Sequence, residues 1–137
     1  MSDLQKEVRL HLGRSDAVTE LVPVARISTG GQLPDDTEYP AIVLQADEDT
    51  EIYLDGAQGL QEADLSVLLL TTETTDASAV AELEAIRAAV KTALHGLRGA
   101  IGEISLQGLF YRASGEVEID PDTGLVALNL QFHAFYS

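Results

Sequence analysis

The chain has 137 residues and carries 8 Lys and Arg against 23 Asp and Glu, a formal net charge of -15. That length fits one domain, residues 1–137, able to build a core without staples, and the absence of cysteine excludes disulfides, thiolate metal sites and cysteine nucleophiles. Eight cations in two separated groups do not make the clustered basic face that phosphate neutralisation on duplex DNA requires.

The N-terminus mixes both signs of charge from Asp3 onward and lacks the basic-then-apolar order of a signal peptide. No apolar run approaches the roughly 18 residues needed to span a bilayer. The expectation is a soluble protein, made and kept in the cytoplasm, with no membrane partner. Leu4, Val8 and Leu12 recur at helical spacing and Gly13 ends the run. Ser15 is a candidate N-cap for a second short turn carrying Val18, Leu21 and Val22, which Pro23 stops. Residues 24–27 read as a short strand, and the Gly, Pro and Asp content of residues 28–39 as a loop.

Residues 40–46 read as a strand with Pro40 at its tolerant first position. Residues 52–54 continue it past an acidic cluster, and Asp55-Gly56 is a hairpin turn signal. Residues 63–72 form the strongest strand, in which Leu65, Val67 and Leu69 alternate with Asp64, Ser66 and Leu68. The unbroken apolar run of residues 68–70 predicts burial on both faces there. Residues 76–95 form an alanine-rich helix with the stripe Val80, Leu83, Ile86, Val90 and Leu94. Its acids Glu82 and Glu84 sit early, its bases Arg87 and Lys91 late, and His95-Gly96 is a stop. Three strands are expected after it: residues 101–111, residues 116–119, and, beyond a turn at residues 120–124, residues 125–136 with Val126, Leu128, Leu130 and Phe132 on one face. The predicted fold class is α+β, an antiparallel sheet with a long helix packed on one face and a short N-terminal helix.

Between Arg26 and Arg87 there is no lysine or arginine, and the acids are densest at Asp47, Glu48, Asp49, Glu51 and Asp55. Asp47, Asp49 and Glu51 share the one-three-five spacing of a calcium loop. Ile52 stands where that loop needs glycine, and Gln58 where it needs glutamate. A solvated sheet edge is the better reading, since charges there block unwanted strand pairing. His11, His95 and His133 lie on different segments with no partner at ligand spacing, so each reads as a surface or helix-end residue and no metal site is indicated. There is no Gly-x-Ser-x-Gly elbow. The run Gly96-Leu-Arg-Gly-Ala-Ile-Gly102 follows a helix instead of opening one, the wrong order for a phosphate cradle, and reads as a flexible connector. No catalytic residue and no cofactor are expected.

The order of segments resembles a known family. A short helix leads into Asp16-Ala-Val-Thr-Glu-Leu-Val22 and Arg26-Ile27; a Gly/Pro loop precedes Tyr39-Pro-Ala-Ile-Val-Leu44. A polar stretch ends in Tyr53-Leu-Asp-Gly56, then come strand 63–70, the alanine-rich helix and the final strand 125–136. This is similar to the tail-completion proteins of long-tailed bacteriophages, also called tail terminators or head-to-tail joining proteins, which have relatives in prophages and gene transfer agents. The resemblance implies a structural virion protein of the tail and neck, assembled in the bacterial cytoplasm and not an enzyme. It implies a homo-oligomeric ring, usually a hexamer, that caps the tail tube and docks to the head connector. Its partners would be the tail tube protein and the head-completion protein, with DNA as passing cargo. In such a ring Asp47, Glu48, Asp49, Glu51 and Asp55 are candidate lumen-facing acids, because an acidic passage repels phosphates; an outer rim that only aids solubility is the other reading. Another neck or minor tail component, a ligand- or cation-binding module and an acidic DNA mimic stay open as alternatives.

Overall fold

The computed structural model describes residues 3–30, 38–47, 50–54, 57–72 and 76–137. Helix α1 (Asp3–Gly13) buries Leu4, Val8 and Leu12 completely, the stripe expected from their spacing. Helix α2 (Asp16–Thr19) starts after Ser15, but the Ser15 side chain makes no cap hydrogen bond; Val18 and Val22 are buried while Leu21 is exposed. Residues 24–26 are not strand. They close a 3-10 turn in which the Arg26 N–H donates to Pro23 O at 2.8 Å, and only then does strand β1 (Ile27–Thr29) begin.

Six more strands surround one long one. Strand β2 (Ala41–Ala46) and strand β3 (Thr50–Leu54) pair one after the other along the same side of β4 (Ala57–Thr72). Leu54 lies opposite Ala57; Asp55-Gly56, the expected hairpin turn, lies outside the described residues. Helix α3 (Asp76–Leu94) follows. Where three strands were expected after it, four are found: β5 (Gly99–Ile101), β6 (Ile104–Ser114), β7 (Glu118–Ile119) and β8 (Leu125–Tyr136). The glycine-rich segment is therefore not a free connector, because its residues 99–101 find a free edge on residues 104–106 and pair there.

Among the described residues the strands form one eight-stranded sheet in the order β1-β2-β4-β8-β6-β5, with β3 beside β4 and β7 beside β8. It is mixed instead of purely antiparallel: β1 runs parallel to β2, with Ile27 opposite Ile42. The centre is the twelve-position ladder of β4 and β8 from Gln61↔Tyr136 to Thr72↔Leu125. Along β8 every second residue is buried, from Val126 to Tyr136, as the period of a strand with one covered face requires.

The core is one cluster joining the buried residues of α1, α2 and α3 to Ile42, Leu44, Leu65, Val67, Leu69, Leu109, Leu130 and Phe132. Helix α3 buries Ala79, Leu83, Ile86, Val90 and Leu94; Val80, expected in that stripe, is 40% exposed. Beyond the short end strands β1 and β5, side chains take up backbone donors of β2 and β6. The Ala46 N–H donates to Gln5 Oε1 at 3.0 Å and the Tyr111 N–H to His95 Nδ1 at 3.0 Å, so each edge is partly denied to another strand.

Candidate functional site

All three helices contribute to one core, so the residues that alternate with the buried set form a second, helix-free face of the sheet. On it lie Val43 and Gln45 of β2, Glu62, Asp64, Ser66 and Leu68 of β4, and Ala127, Asn129, Gln131, His133 and Phe135 of β8. Leu70 is also buried on this side, at 5% exposure, and Leu68 is half-buried, so the apolar run 68–70 is covered on both faces at its end. Strands β2, β4, β7 and β8 contain no lysine or arginine. A groove of about 470 Å³ crosses this face, with Val43, Leu68 and Ala127 as apolar floor, Gln45, Ser66 and Asn129 as polar floor, and Glu116 and Glu118 at one side.

His133 is the organised point of this face. Antiparallel pairing sets it opposite Asp64, and its ring spans two carboxylates: Nδ1 lies 2.7 Å from Asp64 Oδ1 and Nε2 lies 3.2 Å from Glu62 Oε2. The hydrogen bond with Asp64 raises the pKa above 6.5; partial burial opposes the rise, and Glu62 adds to it. The ring also meets Phe135 edge-on at 4.9 Å. His133 is thus not the isolated surface histidine expected from its sequence neighbours. Its partners are sixty-nine and seventy-one positions away, and only the β4–β8 register brings them together. The two carboxylates bind opposite sides of one imidazole and do not converge on a common point. Among the described residues no group of three or more His, Cys, Asp or Glu side chains could hold a metal ion.

Of the five candidate lumen-facing acids, Asp47 is described: it is exposed, follows β2 directly, and its N–H donates to Asp64 O at 2.9 Å. That places it beside Asp64. Glu48, Asp49 and Asp55 lie outside the described residues, and Glu51 is placed by backbone alone, on β3 opposite Gln61. His11 falls in the last turn of α1, and His95 directly follows α3, where its ring caps β6 as described above.

The cations lie elsewhere. Lys6 and Arg9 are on α1 and Arg14 directly follows it; Arg87 and Lys91 are on α3, Arg98 follows it, and Arg112 is exposed on β6. Arg87 pairs with Glu84 at 3.1 Å and donates to Ser114 Oγ, while Lys91 lies over the Tyr111 ring at 4.4 Å. Arg26 ties the chain before β2 to the 3-10 turn through Tyr39 O at 3.2 Å and Glu38 at 2.9 Å. Strands β2, β4, β7 and β8 thus carry no cation while α1 and α3 carry four, and among the described residues there is no assembled nucleophile, base and oxyanion site.

Comparison with known proteins agrees with this architecture. A solved chain from the virion of a native gene transfer agent particle superposes with a TM-score of 0.76 at 19% identity, over 97% of this chain and 93% of that one. A second solved protein superposes with a TM-score of 0.54 at 13% identity, over 98% and 96% of the two chains. At these identities the likeness is one of fold. No curated protein matches. The family model of the tail completion protein gp17 matches residues 6–137, nearly the whole chain, and this protein belongs to that family as a structural component of a phage-type tail.

Proposed function

We propose that residues 1–137 act as one ring-forming unit that caps the tail tube and joins it to the head connector, with DNA passing through the ring. The ring is a hexamer assembled in the host cytoplasm, and its partners are the tail tube protein and the head-completion protein. Family membership motivates this reading. The observation that carries the DNA-passage part is the helix-free sheet face, whose central strands hold Glu62, Asp64 and His133 but no lysine or arginine. A wall of this kind turned toward the ring axis repels phosphates and gives a moving duplex no cation to bind. Asp47, Glu48, Asp49, Glu51 and Asp55 extend the same sign of charge from the ends of β2 and β3 and line the passage.

Replacing Asp47, Glu48 and Asp49 with lysine gives each subunit six units more positive charge in that wall. DNA ejection from particles carrying the variant is expected to slow, and to slow most at low salt, while rings still assemble. Ejection kinetics equal to wild type at low ionic strength would sink the passage assignment.

A further inference from the structure

The two edges of the sheet are unlike, and each carries half of a contact. At the β1 edge, α1, the 3-10 turn and β1 enclose a pocket of about 220 Å³ lined by Arg9, Leu10, Gly13, Arg14, Val24 and Ile27. Leu10 and Val24 stand exposed at 38% and 52%, large apolar surface that none of the described residues covers. Arg9 is held at the pocket by the bond from its Nε to Ile27 O at 2.9 Å, and Arg14 has no ion pair among the described residues. The pocket is therefore apolar inside and basic at its rim.

At the other edge, β7 pairs with Val126 and Ala127 of β8 on the side away from β4. It leaves Ile119 half exposed, at 50%. The turn that follows is well fixed: the Gly124 N–H donates to Asp120 O at 2.8 Å, the Asp122 N–H to Asp120 Oδ1 at 2.9 Å, and the Asp120 N–H to Leu125 O at 2.8 Å. The Asp122 N–H holds the Asp120 carboxyl below its usual range, with the Thr123 hydroxyl and N–H adding to it. Ile119 is thus a single apolar knob on a rigid turn, flanked by the carboxylates of Glu118, Asp120 and Asp122. Strands β2, β4 and β8 separate β1 from β7, so the knob cannot reach the pocket of its own chain.

We infer that Ile119 of one copy seats in the Leu10–Val24 pocket of the next, with Glu118, Asp120 and Asp122 facing Arg9 and Arg14. Knob and pocket match in polarity at the centre and in opposite charge at the rim. Because they occupy different edges, the contact is heterologous and propagates head to tail, the kind that closes into a ring. It rests on the ring reading above, and it gives that ring its subunit joint: with the β1 and β7 edges engaged, the helix-free face is left unburied and can line the passage.

The natural absence of cysteine makes the test clean. The full-length chain carrying both Val24→Cys and Ile119→Cys, oxidised at assembly concentration, is expected to give a ladder of disulfide-linked oligomers ending in a closed ring. A mixture of the two single variants is expected to give linked dimers and nothing larger, and each single variant alone no linkage. Independently, Ile119→Asp is expected to weaken self-association about tenfold or more in sedimentation, with an unchanged unfolding midpoint. Oligomers that form without linkage in the double variant, or a single variant that links to itself, would overturn the contact while leaving the ring standing. A wild-type chain that stays monomeric at every concentration and on added tail tubes would remove the ring itself, and the contact with it.

Discussion

His133 shows what one strand register adds to a residue. Its folded pKa is raised, so the protonated ring is favoured by the folded state. The resulting stability is fully present below 6.5, as long as Asp64 and Glu62 remain ionised, and is lost as pH rises through the folded pKa. The site is half open to water, so the contribution belongs with exposed ion pairs, about 0.2–1 kcal/mol. Urea unfolding at pH 6 and pH 8.5 is expected to show wild type losing more stability on the alkaline side than His133→Gln; equal losses in the two proteins would contradict the pairing. None of this was legible from the sequence, where His133 has no partner nearby and Glu62 and Asp64 look like two more acids in an acidic chain. Gly102 is a similar case. Its φ of +59° demands glycine between β5 and β6, and the buried Glu7 carboxylate from α1 lies where a Cβ would stand. The sequence reads it as one more glycine in a connector.

Elements with a strong period were legible, and those fixed by distant partners were not. The alternation of β8 and the helical spacing of Leu4, Val8 and Leu12 identify their covered faces because the geometry of a strand or helix repeats within the element. Residues 24–26 carry a β-branched residue and suggest a strand, but the local bond from Arg26 to Pro23 and the anchoring of Arg26 to Tyr39 and Glu38 hold a 3-10 turn instead. Residues 99–101 pair only because β6 offers an edge, which no local pattern announces. In α3 the stripe was right except at its first member, where Ala79 faces the core and Val80 faces out. This makes a paired prediction. Ile86→Ala empties a fully buried site and is expected to cost about 2–5 kcal/mol by denaturant unfolding. Val80→Ala removes exposed surface and adds helix propensity, with an expected change within about 0.5 kcal/mol. Comparable costs at the two positions would show that the helix is rotated from the orientation described.

At the scale of the whole molecule, charge is sorted by place. Helices α1 and α3 hold four of the eight cations, while β2, β4, β7 and β8 hold none. The basic-free span visible in the sequence is one part of this pattern. The remainder comes from β8, which the fold sets beside β4, and from β7, which it sets on the far side of β8, both distant in the linear sequence. A subunit with one acidic face, a basic pocket at one edge and an acidic knob at the other has the asymmetry that a ring standing between two different partners requires. The most direct test of that account is electron microscopy of tail tubes assembled from the tube protein of the same particle, with and without a tagged copy of this chain. A single ring of tagged subunits is expected at the head-proximal end of each tube, with tubes that stop elongating once it is in place. Label scattered along the tube or confined to the distal tip, with elongation unaffected, would contradict it.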